Sequence, residues 1–244
     1  MKIEEQYSKI GESITGILGS SLSNPDLELL ASNHSFIVDF DIWLEILKDR
    51  PEKSIFENAI KEYQISILSN CLGMYQQAFM GLRFFLERSL VAIQFSANEI
   101  ELNLWKIGER DTYWSELMDD DKGVFSTKFC RAFFPELKGE ITHFKAITKK
   151  VYRECSEYVH GNNSVIDKIP NSLEYSKDLF EEWNTKADII NRIILFTLCL
   201  RYLKILKEEE RKKVTDSLIE EFNSISLDMP VATVPPLPVI PCHF

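Results

Sequence analysis

Residues 54–97 read Ser54-Ile-Phe-Glu57-Asn-Ala-Ile-Lys-Glu-Tyr63-Gln-Ile-Ser-Ile-Leu68-Ser-Asn-Cys-Leu-Gly73-Met-Tyr-Gln-Gln-Ala-Phe79-Met-Gly81-Leu-Arg83-Phe-Phe-Leu-Glu87-Arg-Ser-Leu90-Val-Ala-Ile-Gln94-Phe-Ser-Ala97. The stretch holds no proline and opens on a capping-box pattern, Ser54 followed three residues later by Glu57. Only Gly73 and Gly81 weaken it. Ile65, Leu68, Leu72, Tyr75, Phe79, Leu82, Leu86, Leu90 and Ile93 spread apolar groups over almost every side, which predicts one long central helix. A narrow polar stripe of Ser69, Gln76, Arg83, Glu87 and Gln94 runs along it at spacings of seven, seven, four and seven.

Two more strong helical patterns follow. Residues 142–159 place Phe144, Ile147, Val151, Cys155, Tyr158 and Val159 at helical spacing and stop at His160-Gly161-Asn162-Asn163, a helix end with glycine at or next to the terminus. Residues 176–211 carry Leu179, Trp183, Ala187, Ile190, Ile194, Leu198 and Ile205 on a main stripe. Before the long stretch, Ile10, Ile14, Ile17 and Leu18 predict a short N-terminal helix that Asn24-Pro25 breaks. Residues 36–48 mix a strand-like alternation (Phe36, Val38, Phe40) with a helical run from about residue 39. Residues 98–140, with Trp105, Gly108, Trp114, Asp119-Asp120-Asp121, Gly123, Pro135 and Gly139, predict short helices and loops.

The expected fold class is all-α. Its organisation is an N-terminal helical segment over 1–53, a helical domain over 54–229 and an extended tail over 230–244, where five of nine prolines fall. The tail's Val231, Val234, Leu237, Val239, Ile240 and Phe244 predict docking, on its own domain or on another subunit.

Composition sets outer limits. With 45% hydrophobic residues in 244, the chain can bury a core. A net charge of −10 disfavours indiscriminate nucleic-acid binding, which needs Lys and Arg to displace phosphate counterions, but leaves room for a local basic groove. Five cysteines without a CxxC pair, and a polar start, predict free thiols in a reducing, cytoplasmic setting. The most apolar run, 187–206, holds Asp188, Arg192, Arg201 and Lys204 and predicts a core helix, with no membrane span. Four histidines without metal-ligand spacing predict no metal, and the absence of GxxxxGK[ST], GxGxxG and GxSxG predicts no cofactor cradle or serine elbow. The run Asp119-Asp120-Asp121 lacks a calcium loop's spacing and predicts a solvated turn.

The chemistry-bearing segment is Tyr152-Arg153-Glu154-Cys155-Ser156-Glu157-Tyr158-Val159-His160-Gly161-Asn162. Arg153 and His160, seven apart, differ by roughly 20° in direction and roughly 10 Å along a helix axis, so they share a face. Glu157 lies between them. Two readings stand at this point. Arg153 and Glu157 at i, i+4 form an ordinary surface pair, with His160 favoured at a helix end by the macrodipole. Alternatively, the face is a cation and an imidazole set out for chemistry.

Arg153, six residues, then His160-Gly161-Asn162 on a long helix resembles the arginine–histidine signature of the HEPN superfamily. Leu82-Arg83 and Leu86-Glu87 on the preceding helix resemble that of HEPN-like proteins from prokaryotic defence and toxin–antitoxin loci. The resemblance covers about 54–208 and implies a bundle of four or more helices. It implies metal-independent RNA cleavage, with Arg153 holding the scissile phosphate and His160 moving a proton, a role suited to imidazole. It also implies a homodimer that brings two such faces into one cleft, with Arg83, Lys149, Lys150 and Asn162 as candidate substrate-binding residues. The chain departs from the family's pattern after the arginine: active members usually carry Asn, Asp or His there, and this chain carries Glu154. That departure, the acidic charge and the apolar tail carry the competing expectation, a non-catalytic subunit that scaffolds a larger defence complex. A nucleotide-binding regulatory domain trails both.

Overall fold

Leu72-Gly73-Met74 turns the long apolar stretch back on itself. In the computed structural model, which describes residues 2–23, 27–161, 165, 167–215 and 218, the expected single helix is two: α3 (Lys53–Cys71) and α4 (Tyr75–Phe95). Gly73 takes φ +73°, the left-handed conformation that ends helices, and a Cβ there would stand 2.7 Å from the Glu174 carbonyl oxygen. The Met74 N–H returns to the Ser69 carbonyl at 2.9 Å and closes the turn. The polar stripe is broken accordingly. Ser69 is buried on α3, while Gln76, Arg83 and Gln94 keep one face of α4.

Every described regular element is helical. α1 (Ile3–Leu22) and α2 (Leu27–Ile46) precede the α3–α4 hairpin. The short α5 (Glu99–Lys106), α6 (Trp114–Leu117) and α7 (Thr127–Phe133) and a 3-10 turn (Pro135–Gly139) fill the segment expected to be irregular. α8 (Ile141–His160) and α9 (Lys177–Tyr202) complete the bundle. The alternation at Phe36, Val38 and Phe40 is helix, not strand. Phe36, Phe40, Trp43 and Leu47 bury one face at helical spacing, and Val38 points outward, 63% exposed. α9 is also shorter than expected, because Leu203–Ile205 tighten to 3-10 and Leu206 is extended, before residues 208–215 resume as helix. Asn24-Pro25 and the Pro-rich segment 230–244 lie outside the described residues.

α9 is buried on all sides from Ile193 to Tyr202 and packs against α2, α4 and α8. Between α2, α3 and α4, the rings of Phe36, Phe40, Phe56, Tyr63 and Phe85 meet with centroids 4.7–6.0 Å apart, mostly edge to face. A buried polar network fixes the register of these layers. Asn33 Nδ2 donates to Asn184 Oδ1 at 3.0 Å, and Asn191 Nδ2 donates to Asn33 Oδ1 at 3.1 Å and to the Tyr63 hydroxyl at 2.8 Å. The Tyr63 hydroxyl then donates to the Asn33 carbonyl at 3.0 Å. Groups so buried are costly unless paired, so sliding one helix past another breaks several bonds together. α1 buries Ile17 and Ser21 in its last turns, and the Ser21 hydroxyl donates to the Cys71 carbonyl at 2.9 Å.

No described helix is long and apolar enough to cross a membrane. Cys71, Cys130, Cys155 and Cys199 are free and buried, and burial pushes the Cys155 and Cys199 thiols up to about 12.

Candidate active site

α8 is the strongly two-sided helix of the bundle. Ile141, Phe144, Thr148, Val151, Cys155 and Tyr158 enter the core, with Phe144 stacked on Phe196 of α9 at 3.7 Å and Tyr158 stacked on Phe79 of α4 at 3.7 Å. It runs antiparallel to α4, tied by Gln76 Nε2 donating to the Tyr158 carbonyl at 3.2 Å and Arg83 Nη2 donating to the Tyr152 hydroxyl at 2.6 Å. Gly161, at φ +63°, ends it where the sequence predicts.

The outer face carries Lys149, Lys150, Arg153 and His160, all exposed. Arg153 has no carboxylate within 4 Å among the described residues, so the ordinary pair with Glu157 is not formed. Lys149 and Lys150 are likewise without an ion pair there. α4, α9 and the 3-10 turn pack on the core side of α8, and Trp114 of α6 and Asp120 reach it at Tyr152 and Lys145. The result is a face that gathers Lys149, Lys150, Arg153 and His160 on an acidic protein, with the Glu157 carboxylate between Arg153 and His160 and Asp120 within the field of Lys149.

Arg83 does not join this face. Its guanidinium lies 4.7 Å from the Tyr152 ring centroid and 3.9 Å from Glu87, within the α4–α8 contact. Asn162 lies outside the described residues. Ser156 donates back to the Tyr152 carbonyl at 2.6 Å, as serines inside helices do. The Tyr158 hydroxyl is buried, and burial with the nearby Glu182 carboxylate holds it far above the ordinary tyrosine range. It packs and does not titrate near neutrality.

Glu154 faces away from Arg153. Lys186 of α9 reaches it at 2.8 Å and reaches Glu182 at 3.4 Å, with only 12% of the lysine side chain exposed. Burial pulls the Lys186 ammonium down, but the two carboxylates outweigh it and leave its pKa above the ordinary 10.5. Lys186→Met strands Glu154 and leaves Glu182 only Lys168 at 3.9 Å, and is expected to cost about 2 kcal/mol, read as a lower urea midpoint at constant slope. Because the lysine's folded value is raised, this contribution is complete below pH 10.5 and fades as pH climbs through the folded value. An equal loss at pH 7 and pH 11.5 would contradict that assignment.

The acidic run is consumed locally. Asp119 Oδ1 accepts from the Asp121 and Lys122 amides at 2.9 and 2.7 Å, which hold its carboxyl below the usual range. Asp120 pairs with Lys145 at 2.6 Å and Asp121 with Lys128 at 3.4 Å. No group of three or more His, Cys, Asp or Glu among the described residues is placed to hold a metal.

What the sequence reading missed is an aromatic stack of α6 on α8. Trp114 of α6 lies parallel to Tyr152, with centroids 3.5 Å and planes 7° apart. Two aromatics in the irregular segment, Tyr113 and Trp114, were its only signal. Comparison of the chain with protein-family profiles, curated proteins and solved structures returns no match.

Proposed function

We propose that the protein is a metal-independent endoribonuclease of HEPN type, working as the effector or toxin of a prokaryotic antiphage defence system. The observation that carries this reading is the outer face of α8, where Arg153 and His160 stand exposed on one side with Lys149 and Lys150 and with no carboxylate on Arg153. Arg153 grips the scissile phosphate, and its fixed positive charge stabilises the charge that builds on the non-bridging oxygens. His160 moves a proton at the attacking 2′-hydroxyl or at the departing 5′-oxygen. As the 2′-oxygen bonds to phosphorus and loses its proton, the bond to the 5′-oxygen breaks and that oxygen gains one. The products are a 2′,3′-cyclic phosphate and a 5′-hydroxyl, with no redox change and no metal.

Two copies facing through α8 would bring two such sets into one cleft, and the exposure of Lys149, Lys150, Arg153 and His160 supports that pairing. Glu154, held by Lys186, takes a place in the α8–α9 contact and not in the cleft. Buried free thiols suit a reducing, cytoplasmic setting.

The test is incubation of purified protein with total RNA in EDTA. Cleavage leaving cyclic phosphate ends supports the reading, and dependence on added metal overturns it. A second reading, a non-catalytic subunit of a larger complex, draws on α1, whose Ile3 and Tyr7 are 70% and 67% exposed ahead of the docked turns. That subunit would assemble equally well with or without His160.

A further inference from the structure

α1 loses its cover toward its N-terminus. Ile3, Tyr7, Ile10, Ile14 and Ile17 stand four, three, four and three apart, so one apolar stripe runs along the helix. Ile17 is 6% exposed, Ile10 37%, Tyr7 67% and Ile3 70%. Gly11 and Gly16 fall in the same stretch with open space around them, and each weakens a helix by about 1 kcal/mol relative to alanine. A short helical half of that make-up is marginal in water by itself. Beside it lies a groove of about 360 Å³, walled by Gln6, Lys9, Ile10 and Ser13 of α1 and by Ser172 and Leu173. Ile10 and Leu173 make its apolar surface. The other four side chains can all donate, and none makes a hydrogen bond or ion pair among the described residues. No carboxylate lines it.

Residues 230–244 have the opposite chemistry. They read Pro-Val-Ala-Thr-Val-Pro-Pro-Leu-Pro-Val-Ile-Pro-Cys-His-Phe, with no Asp, Glu, Lys or Arg. Each proline removes an N–H, so the segment is rich in acceptors and poor in donors. Such a sequence favours polyproline II, whose carbonyls bond to nothing within the strand and whose ordering on binding costs little. A partner helix would suit the groove less well, because its own N–H groups already occupy its carbonyls. The tether suffices too. Leu218 packs against the core, and twelve residues lead from it to 230. At about 3.3 Å each they span up to about 40 Å, more than twice the radius of gyration of roughly 17 Å expected for a chain of this size.

We infer that residues 230–244 dock in this groove of their own chain, as an extended strand that covers Ile10 and Leu173 and steadies the outer half of α1. This docking stands or falls apart from the chemistry assigned to α8.

The full chain carries its own probe, Cys242. Cys71, Cys130, Cys155 and Cys199 are buried, and Cys242→Ser is the blank. Three variants each add one thiol at an exposed position: Gln6→Cys and Ser13→Cys on the groove, and Glu99→Cys past the far end of α4. An undocked tail would favour Glu99→Cys, because Arg201 of α9 meets Ser96 there and the chain leaves α9 at that end. Mild oxidation followed by non-reducing electrophoresis and peptide mapping reads which thiols come within disulfide reach. Expected is an intrachain disulfide from Gln6→Cys or Ser13→Cys that forms at least about tenfold faster than from Glu99→Cys. Adding Leu173→Glu, which sets a carboxylate against the apolar strand, should slow it about tenfold. Leu173 is 41% exposed, so that change leaves the core intact. Equal rates at the three positions, or a faster reaction at Glu99→Cys, overturn the docking. So does a crosslink that Leu173→Glu does not slow. Disulfides between chains alone would give the groove to the tail of a second copy and overturn docking within one chain.

Discussion

On the ribonuclease reading, His160→Ala is expected to slow RNA cleavage by about 10²–10⁴ and to leave the folded state nearly unchanged. The size follows from the chemistry, because a positioned acid or base contributes that much to a proton transfer and no other exposed imidazole shares the Arg153 stripe within two turns. The small effect on folding follows from the position. His160 is exposed at the last residue of α8, where its loss removes only a favourable term with the helix dipole, about 0.3–1 kcal/mol. Arg153→Ala is expected to lose about 10²–10³, as removal of one electrostatic stabiliser does, with stability within about 0.5 kcal/mol. Arg153→Lys keeps the charge without the planar fork and should restore only part of the rate. Single-turnover cleavage with a parallel thermal melt reads both quantities. Equal rates in all four proteins would move the chemistry off this face. Loss of rate together with collapse of the fold would show that α8 had been misread as a surface.

α8 was legible because one helix face is apolar and the other is not, and because a glycine marks its end. The expected bounds 142–159 and the observed Ile141–His160 differ by one residue at each end. The phase of that same pattern puts Arg153 and His160 on the outside without reference to any neighbour. The hairpin was not legible for the opposite reason. Apolar residues cover almost every side of both α3 and α4, so the periodicity shows no change of phase at the turn, and Gly73 is the only local mark. At Phe36, Val38 and Phe40 the strand and helix periods coincide for three residues, and only Trp43 and Leu47, buried in register, separate them. The partners of Glu154 and Arg83 lie beyond any local reading. Lys186 is 32 residues from Glu154, and Tyr152 is 69 from Arg83. An acid after the arginine looks like a spoiled active site in sequence and is one half of a helix–helix ion pair in the fold.

Gly73→Ala is expected to destabilise the protein by about 3 kcal/mol, which in a chain of this size lowers the melting temperature by roughly 6–12 °C. Two costs add. A residue with a Cβ at φ +73° gives up about 1–2 kcal/mol against glycine. The new methyl also meets the Glu174 carbonyl oxygen at 2.7 Å and Ile17 Cγ2 at 3.2 Å, and the first of these is backbone that cannot rotate away. Gly108 separates the two terms. It sits at φ +77° with nothing within 4 Å of its would-be Cβ, so Gly108→Ala should show the conformational cost alone, about 1–2 kcal/mol. Gly139, with open space and no positive φ, should change by less than about 0.5 kcal/mol. Urea melts of the three variants test this order. A Gly73→Ala protein no weaker than Gly108→Ala would mean that the segment at Glu174 does not close over the α3–α4 turn. That segment leads into α9, and Tyr75 joins it by accepting from the Ser176 amide at 2.7 Å. The turn at Gly73 therefore sets where α9 begins, and α9 carries Lys186, which holds Glu154 and with it the rotation of α8 that turns Arg153 outward.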